Sequence, residues 1–409
     1  MTTAGPSRIT VVGIGADGWE GLPDRLRSVV RAAPVLLGGQ RHLDLVPAVP
    51  GQVREPWPSP LRDGLPALLA RHQGAGTVAL ASGDPLVSGI GSTLLGLLGA
   101  EAVRIEPGVS SLALARARMG WSDEESGSLS LVGRDPHLLL RALAPGRRLL
   151  VLSADETTPG VVAGLLVEHG YAASRLTVLC DLGSPDETRF DGRAADWDAT
   201  VPRLNVVAVE VAGAAPAQPA SWVAGLPDTA YEHDGQLTKR DVRASALARL
   251  APQPGQLLWD VGAGAGSVGV EWMRAHPTCR AVAVEADPAR AERIARNARA
   301  LGVPGLRVVT GRAPEALDDL PAPDAVFVGG GATRAGVIEA CLAALSPGGR
   351  LVVHGVTLET EQVLAAGYAR HGGELARVSV EHAEAIGGFT GWTPARAVTQ
   401  WSLVVRGAS

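Results

Sequence analysis

Short apolar runs alternate with longer amphipathic stretches along the whole chain, and this alternation predicts an α/β fold in both halves. In the first half, strands are predicted at residues 9–14, 35–37, 77–81, 103–105, 129–132, 149–152, 176–180 and 206–211. In the second half, they are predicted at residues 257–261, 281–285, 306–310, 325–328, 350–354, 375–380 and 399–405.

The two halves meet at a stretch of small residues that contains prolines and no charge. Residues 212–220 read AGAAPAQPA, a composition that is typical of an exposed linker. We therefore predict a first domain over residues 1–211, a linker over residues 212–221 and a second domain over residues 222–409.

Composition limits the classes of function that fit this chain. It has 409 residues and a formal net charge of −5, which argues against nucleic acid as the main partner. No apolar run reaches the roughly 18 residues of a membrane helix, and the N-terminus lacks a secretory signal pattern, so we expect a cytoplasmic protein with no membrane partner. The three cysteines are far apart and no histidine stands at metal-ligand spacing, so neither a disulfide nor a metal site is predicted.

A glycine-rich turn follows the predicted strand at residues 257–261. Residues 257–270 read LLWDVGAGAGSVGV, and glycines suit both a sharp turn and the close approach of a ligand to the backbone. The G-x-G-x-G spacing, with an acidic residue two positions before the first glycine, differs from the G-x-G-x-x-G of dinucleotide sites. We interpret this turn as a binding site for S-adenosylmethionine (SAM). Its predicted cofactor-binding residues are Asp260, Gly262, Ala263, Gly264, Ala265 and Gly266.

Two later strand ends extend this predicted SAM site. The next strand ends at Glu285, whose carboxylate can accept hydrogen bonds from both ribose hydroxyls. The third strand leads into a loop at residues 311–314, and we expect Ala313 in this loop to contact the adenine.

The second half resembles the CbiT-type methyltransferases of the cobalamin pathway over residues 222–409. The motifs that carry the resemblance are GLPDTAYEHDGQLTKRDVR at residues 225–243, the GAGAGS turn, GRAPEAL at 311–317, GGG at 329–331 and the late SPGGRLVV. The resemblance implies a Rossmann-like SAM-dependent methyltransferase fold. It also implies that Thr238 contacts the SAM carboxylate, and that the glycine turn, Glu285 and Ala313 make the remaining contacts with SAM.

Three loops in the first half together resemble the tetrapyrrole methylase fold, in its CbiE branch, over about residues 1–210. They read GGQRHL at residues 38–43, SGDPL at 82–86 and EPGVSS at 106–111. The resemblance implies two α/β subdomains with SAM between them. The implied cofactor-binding residues are Gly83, Asp84, Pro85, Ser110 and Ser111. The opening GIGADG departs from the common G-x-G-P-G-D, so we expect that loop to serve substrate binding or backbone packing.

A CbiE-like half followed by a CbiT-like half resembles the CobL-type family of decarboxylating precorrin methyltransferases. The resemblance implies methylation of a precorrin at carbons 5 and 15 and loss of the ring C acetate carboxylate at carbon 12. It assigns carbon 5 to the first half, and carbon 15 and the decarboxylation to the second half. A tetrapyrrole substrate and a homo-oligomer are expected. Two alternatives are a SAM-dependent methyltransferase acting on RNA or protein, and a non-catalytic SAM-binding protein.

Four polar residues are candidates for the chemistry itself. Arg41 and His42 are predicted to bind substrate carboxylates, because a polycarboxylate substrate requires cationic partners. His233, beside Asp234, is a candidate proton donor. Lys239 is the single lysine in a chain with 37 basic residues. We interpret it as a catalytic residue whose compact ammonium group meets the SAM carboxylate or a substrate acetate.

Overall fold

The computed structural model describes residues 8–213 and 221–407. The chain divides into two compact units, and each is described separately. The N-terminal unit contains residues 8–134 and 145–213, and the C-terminal unit contains residues 135–144 and 221–407. Most of the predicted linker, residues 214–220, lies outside the described residues, and the predicted domain boundaries stay a prediction.

Within residues 8–213, the strands of the N-terminal unit form two five-stranded sheets. The first sheet is parallel throughout and has the order β3-β2-β4-β1-β5. Its strands are β1 (Ile9–Ile14), β2 (Val35–Gly38), β3 (Val53–Pro56), β4 (Thr77–Ser82) and β5 (Val103–Glu106). Its helices are α1 (Gly18–Gly21), α2 (Asp24–Ala32), α3 (Gln40–Asp44), α4 (Leu61–Arg71) and α5 (Ile90–Leu98).

The second sheet is mixed and has the order β6-β7-β10-β8-β9. Its strands are β6 (Ser126–Ser130), β7 (Arg148–Leu152), β8 (Arg175–Cys180), β9 (Thr188–Arg193) and β10 (Asn205–Glu210), and its helices are α6 (Ser111–Met119) and α7 (Thr158–Glu168). Short 3₁₀ turns occur at Ala100–Ala102 and Ala194–Asp196. The two sheets with their helices are the two α/β subdomains that the tetrapyrrole methylase resemblance implies.

In the described part of the C-terminal unit, seven strands form one sheet with the order β13-β12-β11-β14-β15-β19-β16. The strands are β11 (Leu257–Val261), β12 (Arg280–Glu285), β13 (Arg307–Thr310), β14 (Ala325–Val328), β15 (Arg350–Gly355), β16 (Glu374–Val378) and β19 (Val398–Val404). A separate hairpin pairs β17 (Glu381–Ile386) with β18 (Phe389–Pro394). The helices are α8 (Arg240–Leu250), α9 (Ser267–Ala275), α10 (Pro288–Ala300), α11 (Val337–Ala344) and α12 (Leu358–His371), and 3₁₀ turns lie at Pro136–Ala142, Asp228–Ala230 and Glu315–Leu317.

The middle of this sheet is buried on both faces because helices cover each side. Every residue of β11 and β14 is buried, and separate apolar clusters pack on the two faces. The five strands from β13 to β15 are parallel, and the strand order reverses between β11 and β14. Ligands of open parallel sheets bind at such a reversal, beyond the carboxyl ends of the strands. The predicted fold class is confirmed in both units.

Candidate active sites

The glycine turn of the C-terminal unit lies at the point where the strand order reverses. Gly262, Gly264 and Gly266 all have positive φ angles, between 60° and 75°. A Cβ on Gly262 would lie 2.7 Å from the carbonyl oxygen of Gly330, in the GGG run that follows β14. Because left-handed backbone and this close approach both exclude side chains, the turn requires glycine at these positions.

Glu285 is held rigidly beside this turn. One carboxylate oxygen accepts a hydrogen bond from the Gly264 backbone N–H at 2.8 Å, and the other accepts from the Asp287 backbone N–H at 3.0 Å. A carboxylate oxygen can accept more than one hydrogen bond, so both oxygens keep capacity for a ligand's hydroxyl groups. The turn and the carboxylate therefore form one preorganised cradle.

Asp260 lies beneath the turn and is only 1% exposed. Its Oδ2 accepts a hydrogen bond from the Gly269 backbone N–H at 2.9 Å, and its Oδ1 is buried without a hydrogen-bond partner among the described residues. Burial, and to a smaller extent the nearby Glu285 charge, raises the pKa of Asp260 to about 7. The structure thus gives Asp260 a role in holding the start of α9, and its predicted contact with a cofactor stays a prediction.

A buried ion pair fixes the segment that precedes α8, here called the leading segment (residues 225–238). The Arg243 side chain is fully buried and donates from Nε to Glu271 Oε1 at 2.6 Å. The same guanidinium donates to the backbone carbonyls of Leu226 and Thr238. Glu271 also accepts hydrogen bonds from the backbone N–H groups of Gly225 and Leu226, so the two charged side chains hold both ends of the segment.

A second buried side chain ties the leading segment to the glycine turn. Asn297 on α10 is 3% exposed and donates from Nδ2 to the Ala265 carbonyl at 2.9 Å and to the Glu232 carbonyl at 3.0 Å. Its Oδ1 accepts from the Glu232 backbone N–H. Sequence reasoning missed Arg243, Glu271 and Asn297, because nothing in the sequence distinguishes them from the other polar residues of their helices.

The predicted residues here are His233, within the leading segment, Thr238 at its end, and Lys239 directly after it. Thr238 is half-buried shortly before α8, and Lys239 occupies the N-cap position of that helix. The Lys239 side chain does not cap the helix, and its ammonium group lies 3.4 Å from Asp228 Oδ2. His233 is exposed, and its Nδ1 accepts from the Gly235 backbone N–H. The carboxylate of Asp234 pairs with two arginines of α10, Arg290 and Arg293.

Ala313 lies on the loop after β13, as its motif predicts. Its carbonyl oxygen accepts a hydrogen bond from Arg334 Nη1 at 2.8 Å, which connects this loop to the one that follows β14. Arg334 also pairs with Glu315. The loop therefore stands beside the glycine turn at the same edge of the sheet.

In the N-terminal unit, three strand ends meet at glycines. A Cβ on Gly13 would lie 1.8 Å from the Gly83 carbonyl oxygen and 2.5 Å from the Gly108 nitrogen. Gly83 donates to the Ile14 carbonyl and accepts from the Gly108 N–H. This contact supports the expectation that the opening glycine loop serves backbone packing.

A cavity of about 280 Å³ opens beside the loops at residues 38–43, 82–86 and 106–111. Six predicted residues line it, namely Arg41, His42, Gly83, Asp84, Ser110 and Ser111. Ser110 caps α6 through its hydroxyl, and Asp84 accepts from the Leu86 backbone N–H. Pro85 is buried behind the wall of the cavity, where its carbonyl accepts from the Gly91 N–H. Sequence positions far apart in the chain thus converge on one site.

Arg41, His42 and Ser82 form a polar cluster on the cavity wall. His42 Nε2 lies 2.8 Å from Ser82 Oγ and 2.9 Å from Arg41 Nη2. Burial, with a smaller contribution from the Arg41 charge, lowers the pKa of His42 to about 4. Burial also lowers the pKa of Arg41, against a raising effect of Asp181. At neutral pH the cluster therefore contains a neutral imidazole beside a cationic guanidinium.

Comparison with known proteins matches both halves of the chain. The family model for tetrapyrrole (corrin/porphyrin) methylases matches residues 8–198, and the model for a precorrin methyltransferase domain matches residues 229–405. A precorrin-6Y C(5,15)-methyltransferase (decarboxylating) of Sinorhizobium sp. is 47% identical over 395 residues, which cover 96% of this chain and 95% of that protein. The chain belongs to the precorrin-6Y C(5,15)-methyltransferase (decarboxylating) family. The resemblance predicted from the motifs is confirmed.

The precorrin-6Y methyltransferase family also includes a Mycobacterium tuberculosis protein that is 47% identical over 97% of this chain and 100% of its own length. A crystal structure of the C-terminal domain of a Rhodobacter capsulatus precorrin-6Y C5,15-methyltransferase is 47% identical, with a TM-score of 0.43, and covers 44% of this chain and 98% of that domain. Within residues 8–213 and 221–407, no group of three or more His, Cys, Asp or Glu side chains is placed to hold a metal ion. No helix in the same residues is long and apolar enough to span a membrane.

Proposed function

We propose that this chain methylates a precorrin at carbons 5 and 15, with SAM as methyl donor, and removes the ring C acetate carboxylate at carbon 12 in cobalamin biosynthesis. The observation that carries the proposal is the presence of two separately built sites, each with glycine-lined strand ends, in a chain that matches the family over 96% of its length. That match favours this function over a methyltransferase for RNA or protein and over a non-catalytic SAM-binding protein.

The C-terminal site fits SAM through its glycine turn and its fixed carboxylate. We assign the ribose hydroxyls to Glu285, the adenine side to Ala313 and the methionine carboxylate to Thr238. The turn at residues 262–266 has no space for side chains at Gly262 and Gly264. SAM supplies an electrophilic methyl group when it is bound.

The N-terminal site fits SAM through the SGDP turn and the PGVSS loop. Gly83, Ser110 and Ser111 line the cavity, Asp84 fixes its own turn, and Pro85 supports that turn from behind. Arg41 and His42 form the polar part of the wall, and we assign this part to the substrate, with a substrate carboxylate on the Arg41 guanidinium.

The chemistry of both methylations is mainly a matter of position. A reduced tetrapyrrole carbon in an enamine-like system is already nucleophilic, so the protein has to hold that carbon in line with the methyl group. In the decarboxylation, the C–C bond to the carboxylate breaks, carbon dioxide leaves and the macrocycle receives the electron pair. A proton then adds to the remaining methylene carbon, which becomes a methyl group. We assign carbon 5 to the N-terminal unit, and carbon 15 and the decarboxylation to the C-terminal unit, with Lys239 and His233 as its candidate catalytic residues.

Titration calorimetry of the full chain with SAM is expected to find two sites per chain. The reason is that the glycine turn at residues 262–266 and the cavity beside Gly83 are built from different sequence segments in different units. A stoichiometry of one would contradict the assignment of the N-terminal loops.

Sedimentation of the same preparation tests the separate prediction that the chain forms a homo-oligomer.

Lys239→Arg is expected to lower carbon 15 methylation or decarboxylation while carbon 5 methylation stays unchanged. Lys239 is 58% exposed at the N-terminus of α8, next to Thr238, and a planar guanidinium cannot replace a compact ammonium group on a small carboxylate. The control is Arg240→Lys, a change of the exposed neighbouring cation. Product analysis by mass spectrometry separates the reactions, and wild-type rates for Lys239→Arg would remove Lys239 from the catalytic assignment.

A further inference from the structure

The cavity wall of the N-terminal unit presents an imidazole whose two nitrogens are in unequal surroundings. His42 Nε2 contacts Arg41 Nη2 at 2.9 Å and Ser82 Oγ at 2.8 Å. His42 Nδ1 is buried and has no hydrogen-bond partner among the described residues. A buried polar atom without a partner is costly and requires an explanation, of which a catalytic role is one.

The neighbours of His42 determine which nitrogen carries the proton. A guanidinium group has only donors, so Nε2 must accept from Arg41, and the single proton of the neutral ring lies on Nδ1. Nε2 is therefore a basic atom on the cavity wall, occupied in the free protein by the Arg41 N–H and the Ser82 hydroxyl.

The proposed methylation of carbon 5 releases a proton that must go to some acceptor. When a methyl group replaces the hydrogen of carbon 5, the carbon forms the new C–C bond, the C–H electron pair returns to the conjugated macrocycle, and H⁺ leaves. A neutral imidazole is the side chain best suited to take up a proton near neutral pH.

We propose that His42 Nε2 accepts the proton released from carbon 5, directly or through the Ser82 hydroxyl, and that a substrate carboxylate makes Nε2 available by drawing Arg41 away from it. This inference rests on the proposed function, since it takes carbon 5 methylation and a carboxylate on Arg41 as given. The pairing of Arg41 with the substrate thereby couples substrate binding to the basicity of His42.

The other charged groups near this cluster are consistent with such a coupling. Arg41 is the cation that faces His42, and its charge lowers the pKa of the imidazole in addition to burial. Asp181 acts on Arg41 from the loop after β8, and Asp84 lies in the turn that follows Ser82. Asp181 has a φ of 48°, and strained non-glycine backbone of this kind is concentrated at functional sites. An anion that pairs with Arg41 would remove the positive charge from the immediate surroundings of Nε2.

The first experiment follows the His42 ring by NMR during a pH titration of the full chain. In the free protein we expect titration near pH 4, and in Arg41→Met we expect it at a higher pH. On addition of precorrin-6Y without SAM, the titration of wild-type His42 is expected to move upward by one pH unit or more. Binding of substrate with no movement of the His42 titration would overturn the inference.

The second experiment measures carbon 5 methylation in His42→Gln, with His169→Gln as the control. His169 follows the last residue of α7 and is not among the residues that line the cavity, and its Nδ1 donates to the Leu165 carbonyl of the same helix, so its loss should leave the rate unchanged. We expect His42→Gln to lower the rate about 100-fold or more, with little change in the affinity for SAM and with carbon 15 methylation intact. A wild-type rate in His42→Gln would overturn the inference. Absence of carbon 5 methylation in the wild-type protein itself would contradict the proposed function instead, and the NMR titration would still decide whether the substrate releases His42.

Discussion

Replacing Arg243 with methionine is expected to lower the free energy of unfolding of the C-terminal unit by roughly 3–5 kcal/mol. Arg243 is fully buried and Glu271 nearly so, with their side chains 0% and 3% exposed. Methionine fills most of the same space but leaves the Glu271 carboxylate buried without the cation that is hydrogen-bonded to it. The backbone carbonyls of Leu226 and Thr238 also lose their donor, so the leading segment should loosen together with the loss of stability.

The matched control is Arg249→Met on the same helix. Arg249 pairs with Glu374, and these side chains are 28% and 58% exposed, so this substitution should change stability by about 1 kcal/mol or less. Native-state hydrogen exchange of the β11 amides measures both variants. Equal effects at the two positions would contradict the role given to the buried pair.

Replacing Glu285 with alanine is expected to weaken SAM binding in the C-terminal unit by roughly 2–3 kcal/mol, or about 30- to 150-fold. Two losses contribute to this effect. The charge-assisted hydrogen bonds to the ribose hydroxyls disappear, and the Gly264 and Asp287 N–H groups lose the acceptor that fixes the turn. The site in the N-terminal unit should keep its affinity because it shares no residue with this turn.

Glu292→Ala is the control for this second substitution, since Glu292 is an exposed carboxylate on the following helix. Calorimetry with SAM reports both sites in one titration. An unchanged affinity in Glu285→Ala would place the ribose contact elsewhere, and a loss at both sites would contradict their independence.

Much of the fold can be predicted because its central strands are short apolar runs that end in glycine-rich turns. The predicted strands at residues 9–14, 257–261 and 325–328 agree with β1, β11 and β14 at both ends. Such strands are buried on both faces, so their composition alone distinguishes them from the helices.

The strands that the sequence analysis missed have no buried apolar face to reveal them. Strand β3 reads VREP at the edge of its sheet, and β9 reads TRFDGR with mostly exposed side chains. Every residue of β17 is exposed, and its pairing with β18 rests on backbone hydrogen bonds that no side-chain pattern encodes. Strand β6 (Ser126–Ser130) reads SGSLS, and it begins three residues before its predicted start at residue 129.

For the sites, the sequence predicts the loops but not the side chains that hold them. The loops at residues 38–43, 82–86 and 106–111 carry recognisable motifs and converge on one cavity. The Arg243–Glu271 pair and Asn297 join residues 28 or more positions apart, and each looks like an ordinary polar helix residue in the sequence. Residues 135–144 belong to the C-terminal unit although they come from the first half of the chain. Arg141 in this segment donates a hydrogen bond to the Met273 carbonyl, which is also a contact between residues far apart in the sequence.

The most direct test of the proposed function is the mass of the product that the purified full chain makes from precorrin-6Y and SAM. The proposal predicts a product with two added methyl groups and one carboxyl group lost as carbon dioxide, and NMR of labelled product should place the methyl groups on carbons 5 and 15. A substrate recovered unchanged in the presence of bound SAM, or methylated at other positions, would contradict it.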